Sequence, residues 1–193
     1  MIICPMDSEQ DATASCSESS TSINMSIILI SGGQRSGKSS FAQQLAEAQS
    51  EHPVYLATAR HWDDDFSLRI KRHQADRGSQ WITLEEEKHL GKHNLEGQTV
   101  VLDCITLWLT NIFHDNSYDA ETSLQVAKNE WEQLIKKNMD LIVVTNELGM
   151  SIHAQDEASR KFTDLQGRMN QHIAKTADRV VLMVAGIPLT IKQ

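Results

Sequence analysis

The sequence predicts an α/β fold with a largely parallel sheet. Short runs rich in Val, Ile and Leu alternate with longer amphipathic segments, which is the pattern of successive strand–helix–strand units. A glycine-rich loop separates the first of these runs from the first amphipathic segment. At 193 residues the chain is long enough to bury one sizeable core, so a single domain is expected.

The predicted elements follow one another from residue 27 to residue 191. Strands are expected at Ile27–Ile30, Val54–Thr58, Trp81–Leu84, Thr99–Asp103 and Leu141–Thr145. Helices are expected at Lys38–Gln49, Asp63–Arg77, Leu124–Lys137 and Ser159–Lys175, with another helical segment soon after Asp103. Val180–Ala185 and Pro188–Ile191 are expected to close the chain as strands or a hairpin. Trp81 is expected to pack in the core rather than to stack on a base.

Residues 1–24 differ in composition from the rest of the chain. They are acidic, Ser-rich and without periodicity, which is typical of a segment that stays disordered. We therefore expect a disordered tail at 1–24 and one catalytic, nucleotide-binding domain at 25–193. Met25 directly precedes the first strand, so the sequence leaves open whether the tail belongs to the native protein.

Charge and cysteine content exclude several classes of protein. The net charge is −8, and half of it comes from the tail, through Asp7, Glu9, Asp11 and Glu18. This balance argues against a nucleic-acid partner, which needs a basic surface. The three cysteines contain no C-x-x-C pair, which disfavours a disulfide framework or a zinc site and favours a cytoplasmic location. The longest apolar run, Val180–Ile191, is too short for a membrane span.

The strongest functional motif is a phosphate-binding loop. It matches G-x-x-x-x-G-K-[ST] as Gly32-Gly33-Gln34-Arg35-Ser36-Gly37-Lys38-Ser39. Backbone N–H groups of such a loop point at phosphate oxygens, Lys38 reaches the β- and γ-phosphates, and the Ser39 hydroxyl contributes to Mg²⁺ binding. The N-terminus of the following helix favours the same anion. The motif predicts a site for ATP or GTP that is used in phosphoryl or nucleotidyl transfer.

An acid at the end of a buried strand is expected to hold the magnesium ion or its water shell. Asp103 closes one apolar strand and is the first candidate, although it could instead cap the following helix. Glu147 follows the next buried strand and is the competing acid. Both are expected at the carboxyl ends of their strands, where ligands bind in open α/β sheets.

Six separated segments carry a resemblance to a known family. They are Ser31 to Ser39, Tyr55-Leu56-Ala57-Thr58-Ala59, Asp63-Asp64 with Arg69-Ile70 and His73, Asp103-Cys104-Ile105-Thr106, Thr145-Asn146-Glu147-Leu148-Gly149-Met150, and Gly167-Arg168-Met169-Asn170-Gln171. In these segments the chain resembles the bifunctional adenosylcobinamide kinase/adenosylcobinamide-phosphate guanylyltransferases of cobalamin biosynthesis. The resemblance extends from about Ile27 to Lys192.

The resemblance implies a P-loop NTPase-like, three-layer fold with a mixed, mostly parallel sheet. It also implies a homo-oligomer, with a trimer as the suspected form, and two reactions on a corrinoid substrate. In the first, a nucleoside triphosphate phosphorylates the aminopropanol hydroxyl of adenosylcobinamide. In the second, GTP guanylylates a histidine, and the GMP passes to the new phosphate to give adenosylcobinamide-GDP.

Matching the motifs residue by residue places the guanylylated histidine at His73. Neutral imidazole can attack a phosphorus atom near neutral pH, and the resulting phosphorus–nitrogen bond is labile enough to pass the group on. His61 is the nearest rival, while the other histidines lie in no supporting pattern. Arg69, Arg72 and Arg77 could neutralise triphosphate charge or be ordinary exposed residues.

Two other functions share the phosphate loop and stay open at this point. One is a different small-molecule kinase without a covalent intermediate, and the other is a nucleotide-dependent regulatory module. Both would leave His73 without a chemical role. The sequence does not decide between ATP and GTP as phosphoryl donor, and it identifies no corrinoid-binding residues.

Overall fold

The computed structural model describes residues 25–60, 78–150 and 154–193. The predicted tail at 1–24 and the predicted helix Asp63–Arg77, with His61 just before it and His73 inside it, lie outside these residues. The described part of the chain forms one seven-stranded sheet and four α-helices.

The strands are β1 Ile27–Gly32, β2 Val54–Ala57, β3 Ile82–Glu85, β4 Thr99–Asp103, β5 Asp140–Val144, β6 Arg179–Val184 and β7 Ile187–Lys192. The helices are α1 Lys38–Gln49, α2 Ile105–Asp115, α3 Ala120–Leu134 and α4 Glu157–Thr176. Short 3-10 turns lie at Leu90–Lys92 and Leu148–Met150. The strand order is β3-β2-β4-β5-β1-β6-β7, and only the β6–β7 pair is antiparallel. The predicted mixed, mostly parallel sheet is confirmed.

An apolar layer covers each face of the sheet, so its central strands are buried on both sides. Along β1, Ile27 and Leu29 belong to a core cluster that also contains apolar residues of α2, α3 and α4. Ile28 and Ile30 belong to a second cluster that contains Ala42 and Ala46 of α1. This alternation follows from the two-residue period of a strand. It gives the expected three layers, with α1 on one face and α2 to α4 on the other.

Most predicted boundaries agree with the structure to within a few residues, and the differences have local causes. Helix α3 begins at Ala120 rather than Leu124 because the Asp119 carboxylate accepts the backbone N–H of Thr122 at 2.7 Å, which caps the helix four residues earlier. Trp81 lies just before β3, is buried, and donates its indole N–H to Glu47 at 2.8 Å, so its predicted core position is confirmed.

The last two strands form the hairpin that the sequence left as an option. Ala185 and Gly186 make its two-residue turn with φ values of 51° and 82°. Two successive positive φ values match the right-handed twist of paired strands, so the turn joins β6 to β7 without splaying them. No helix in the described ranges is both long and apolar enough to cross a bilayer.

The buried centre of the sheet should dominate stability. Leu102 in β4 is 0% exposed, whereas Ile82 in the edge strand β3 is 48% exposed. We expect Leu102→Ala to lower the free energy of unfolding by about 2–5 kcal/mol, because it removes methyl groups and leaves a cavity. Ile82→Ala is the control and should cost less than half as much. Urea denaturation followed by circular dichroism measures both, and equal losses would contradict this account of the core.

Candidate active site

The phosphate loop joins β1 to α1 in a conformation that requires glycine at two places. Gly32 has φ 151° and Gly37 has φ 92°. A Cβ atom on Gly32 would lie 2.5 Å from the carbonyl oxygen of Met183 in β6, and one on Gly37 would lie 3.2 Å from Gly186 Cα. The motif glycines are therefore needed because the loop packs against the β6–β7 hairpin backbone to backbone.

The interior of the loop suits a phosphate group. Lys38 is 7% exposed, and its Nζ donates to the carbonyl oxygen of Gly33 at 2.6 Å, so its charge is held over the loop. The hydroxyl of Ser36 is buried and has no hydrogen-bond partner among the described residues. Because an unpaired buried hydroxyl is costly, a phosphate oxygen would be a natural acceptor for it. Gly33, Gln34 and Arg35 are exposed at the tip of the loop, and Ser39 is half-buried in the first turn of α1.

Asp103 lies at the carboxyl end of β4, as predicted. Its carboxylate accepts a hydrogen bond from the Tyr55 hydroxyl at 2.6 Å, across the neighbouring strand β2. The alternative that Asp103 caps the next helix is wrong, because the capping position of α2 is Cys104 and no side chain caps it. Strand β5 lies between β4 and β1, so Asp103 is separated from the loop strand by roughly 10 Å of sheet.

Glu147 is hydrogen-bonded to the residues where β1 enters the phosphate loop. Its N–H donates to the Gly32 carbonyl at 3.2 Å, and its Oε1 accepts the Ser31 hydroxyl at 2.9 Å. The same Oε1 accepts Asn170 Nδ2 at 2.8 Å. Both donors bind one carboxylate oxygen, so the carboxylate is oriented while Oε2 keeps its acceptor capacity. Glu147 lies beside the loop because β5, the strand before Glu147, is the neighbour of β1, the strand before the loop.

A buried polar network supports Glu147, and the sequence analysis did not assign its members a role. Asn170 and Gln166 lie one turn apart on α4 and are 6% and 1% exposed. Asn170 Oδ1 accepts the Thr145 hydroxyl at 2.7 Å, and Gln166 Nε2 donates to both Thr145 Oγ1 and Asn170 Oδ1 at 2.9 Å. Asn170 Nδ2 also donates to the Asn146 carbonyl at 3.0 Å. In the sequence, this network could have been recognised from two amide side chains that lie on the apolar face of a predicted helix.

Helix α2 lies across the carboxyl ends of two strands. Asn111 Nδ2 donates to the carbonyl oxygens of Thr58, just after β2, at 2.8 Å and of Glu87, just after β3, at 3.1 Å. At the end of the helix, Asp115 accepts two hydrogen bonds from Arg60 at 2.9 and 3.1 Å. The hydrogen bonds that Asp115 accepts from Arg60 and from Lys88 hold its pKa well below the usual range of a carboxyl group. Helix α2 is thereby fixed along the edge of the sheet where the loop opens.

Cys104 is the one cysteine of the described ranges, and it has no chemical role that the structure supports. Burial, reinforced by the charge of Asp103, raises the pKa of its thiol to about 12. A thiol with such a pKa is almost entirely protonated near neutral pH and is a poor nucleophile.

A groove of about 520 Å³ opens between the end of α2 and the beginning of α4. Its aromatic wall includes Phe113, Tyr118 and Phe162, and the aliphatic hydroxyl groups of Thr110, Ser159 and Thr163 also line it. Leu148, the residue directly after Glu147, also lines it. The groove therefore adjoins the candidate active site at the carboxyl edge of the sheet.

A family model and individual relatives match nearly the whole folded region. The model described as cobinamide kinase / cobinamide phosphate guanyltransferase matches residues 28–191. The bifunctional adenosylcobalamin biosynthesis protein CobU of Escherichia coli (strain K12) is 34% identical over 86% of this chain and 99% of its own length. The bifunctional adenosylcobalamin biosynthesis protein CobP of Pseudomonas aeruginosa is 37% identical over 85% of this chain and 96% of its own length.

A solved structure from Pyrococcus horikoshii OT3 superposes with a TM-score of 0.49 at 8% identity, covering 87% of this chain and 86% of that one. A likeness this weak says nothing about function. The family match and the two relatives are far stronger, and each includes the phosphate loop, both strand-end acids and the segment that contains His73 within its span. The chain belongs to the cobinamide kinase / cobinamide phosphate guanyltransferase family.

Proposed function

We propose that this protein catalyses two successive transfers to adenosylcobinamide. In the first, the terminal hydroxyl of the aminopropanol arm receives the γ-phosphoryl group of ATP or GTP. In the second, GMP passes from GTP to that phosphate and gives adenosylcobinamide-GDP. Family membership supports both steps. The observation that carries the nucleotide part is the phosphate loop, with its glycine-dependent packing, its buried Lys38 and the unpaired Ser36 hydroxyl.

In the kinase step, the loop would position the triphosphate and neutralise its charge. Lys38 and the backbone N–H groups would bind the phosphate oxygens, since phosphoryl transfer depends mainly on positioning and electrostatic stabilisation. The Ser39 hydroxyl and the Asp103 carboxylate are hard oxygen ligands that fit Mg²⁺. Magnesium bound there would supply further positive charge at the phosphates.

The two strand-end acids would divide the remaining work. Asp103, one strand further from the loop, would hold the magnesium ion through its water shell. Glu147, oriented by Ser31 and Asn170, would accept the proton of the attacking hydroxyl. The alternative assignment places Glu147 at the magnesium ion, and it predicts that Glu147→Gln, rather than Asp103→Asn, changes the magnesium concentration that the kinase step needs.

In the guanylyl step, a nitrogen of His73 would attack the α-phosphorus of GTP. A phosphorus–nitrogen bond forms while the bond from that phosphorus to the pyrophosphate oxygen breaks. An oxygen of adenosylcobinamide phosphate would then attack the same phosphorus, and the imidazole would leave. The chemistry of imidazole and the motif match support this role, and His73 itself lies outside the described residues.

We also propose a cytoplasmic homo-oligomer, with a trimer as the expected form. Edge strand β7 and the residue before its turn expose four apolar side chains, which are Val184 at 55%, Ile187 at 69%, Leu189 at 56% and Ile191 at 61%. An exposed apolar edge strand is a ready surface for another chain, and covering it in an oligomer would remove this liability.

His73→Ala should abolish the covalent intermediate. Incubation with GTP labelled at the α-phosphate, followed by denaturation, should leave label on the wild-type protein in an acid-labile, alkali-stable bond, because phosphorus–nitrogen bonds are cleaved by acid. His89→Ala is a matched control, since His89 is exposed and paired with Glu130. A His73→Ala protein that keeps all its label would disprove the nucleophile, and the one-step kinase would then fit better.

Asp103→Asn and Glu147→Gln should separate the two acids. We expect Asp103→Asn to raise the magnesium concentration needed for half-maximal kinase activity several-fold, because it removes a charge from the metal site. Glu147→Gln should lower kcat without changing that concentration, because the proton acceptor is lost. Initial rates at a series of magnesium concentrations measure both effects. The reverse pattern would assign the magnesium ion to Glu147.

Leu189→Lys should disrupt the oligomer. The substitution places a charge in the middle of the exposed edge strand, where lysine opposes strand pairing. Light scattering should give about three times the 21.7 kDa chain mass for the wild type and a smaller mass for the variant. Val126→Lys, at an exposed position on α3, is the control and should keep the wild-type mass. A wild-type mass of one chain would refute the oligomer.

A further inference from the structure

We propose that the groove between α2 and α4 binds the corrin macrocycle of the substrate. This inference rests on the proposed function, because it assigns a site to the substrate class that function requires. Three observations carry it: the position of the groove, the chemistry of its lining, and the backbone conformation at Tyr118.

The groove begins where the candidate catalytic residues end. Leu148 lines it and directly follows Glu147, whose carboxylate contacts Ser31, the residue just before the phosphate loop. Thr110 lines it and lies one helical turn after Thr106, whose hydroxyl oxygen accepts hydrogen bonds from the N–H and the side-chain amide of Asn146 at 3.2 and 3.1 Å. A ligand in the groove therefore needs to extend only a short arm past Leu148 to bring a hydroxyl group to Glu147.

The lining favours a corrinoid over a second nucleotide. No Asp, Glu, Lys or Arg contributes to the groove among the described residues, and the imidazole of His114, which does line it, contacts Asp115 at 3.2 Å. A triphosphate would require cationic groups, which this lining does not provide. The periphery of a corrin carries methyl groups and neutral amide arms. Aromatic walls suit the methyl groups, and hydroxyl oxygens of threonine and serine can accept from the amides.

Tyr118 is held against the groove by an unusual turn. Ser117 and Tyr118, between α2 and α3, have φ values of 53° and 63°, which side-chain-bearing residues rarely adopt. The turn is fixed by the Tyr118 N–H, which donates to the Phe113 carbonyl at 2.8 Å. The Tyr118 ring packs edge-on against Phe113 at 5.5 Å and remains 50% exposed. Strained backbone that presents a half-exposed aromatic ring at a groove is typical of a ligand-binding position.

The volume of the groove indicates which part of the substrate it holds. A groove of about 520 Å³ is within the range for small-molecule sites but smaller than a complete corrinoid. It would therefore hold one edge of the macrocycle and leave the rest in solvent. The aminopropanol arm of that edge would then extend towards Glu147 and the γ-phosphate.

Steady-state kinase kinetics of two variants test the proposal. Tyr118→Ala removes an aromatic wall, and Thr163→Trp fills the groove. We expect each to raise the KM for adenosylcobinamide by about tenfold or more, because aromatic contact area with the ligand is lost or blocked. The KM for ATP or GTP should stay at the wild-type value. Gln125→Trp places the same bulky residue on exposed α3, away from the groove, and should leave every constant unchanged.

Two further readouts separate failure of the groove from failure of the proposed function. Guanylylation of the enzyme by α-labelled GTP needs no corrinoid, so it should persist in Tyr118→Ala and Thr163→Trp, and it also reports correct folding. If Thr163→Trp is not labelled, that variant is misfolded, and the corrinoid KM of Tyr118→Ala alone tests the groove. Wild-type corrinoid KM in a labelled variant overturns the groove, and so does a rise in the KM of the nucleotide. A wild-type enzyme that does not phosphorylate adenosylcobinamide overturns the proposed function itself.

Discussion

The structure depends on a close approach between two stretches of backbone. The phosphate loop packs closely against the backbone of the β6–β7 hairpin, so that Gly32 lies beside the Met183 carbonyl and Gly37 beside Gly186. The hairpin also donates the Gly186 N–H to the Ser36 carbonyl at 3.0 Å. Any Cβ atom at Gly32 would force the loop away from β6 and alter where its N–H groups point. The geometry that suits phosphate is therefore a property of three strands and a turn rather than of the loop alone.

A second constraint acts from the opposite side of the loop. Glu147 and Ser31 belong to neighbouring strand ends, and the amide groups of Asn170 and Gln166 connect them to α4. Buried amides are tolerated where their polar atoms find partners, and here the partners are the residues that orient the acid. One buried oxygen, Gln166 Oε1, has no partner among the described residues. The network orients Glu147 by fixing one of its oxygens, and a carboxylate in solution would have no such preference.

The sequence predicted those features that depend on neighbouring residues. The loop, its strand and its helix follow from eight consecutive residues and a short apolar run, and the strand-end acids Asp103 and Glu147 follow from where two apolar runs stop. The hydrogen bond from Tyr55 to Asp103 could not be predicted, because it depends on which strands are adjacent. The contact of Asn170 with Glu147 depends on the rotation of α4 about its axis. The role of His73 remains a prediction from chemistry and resemblance.

Helix α2 shows the same limit in another way. A helix after Asp103 was expected, but its direction across the carboxyl edge comes from Asn111 and Asp115, which form hydrogen bonds with Thr58 and Arg60 in the segment after β2. Without that direction the groove would not exist, because its wall is formed by the far end of α2. Pattern within one helix does not encode the angle at which the helix crosses a sheet.

The hairpin connects the outermost strand of the sheet with the residues that would surround a nucleotide. Gly186 lies in the turn between β6 and β7 and donates its N–H to the Ser36 carbonyl, so a displacement of β7 would act on the loop through this hydrogen bond. A partner that covers β7 and a ligand that tightens the loop would then both shift the same conformational equilibrium, that of the loop and the β6–β7 turn. Thermodynamic reciprocity requires that each would change the affinity for the other by the same factor. If subunits associate through β7, as proposed, this turn would couple their association to nucleotide binding.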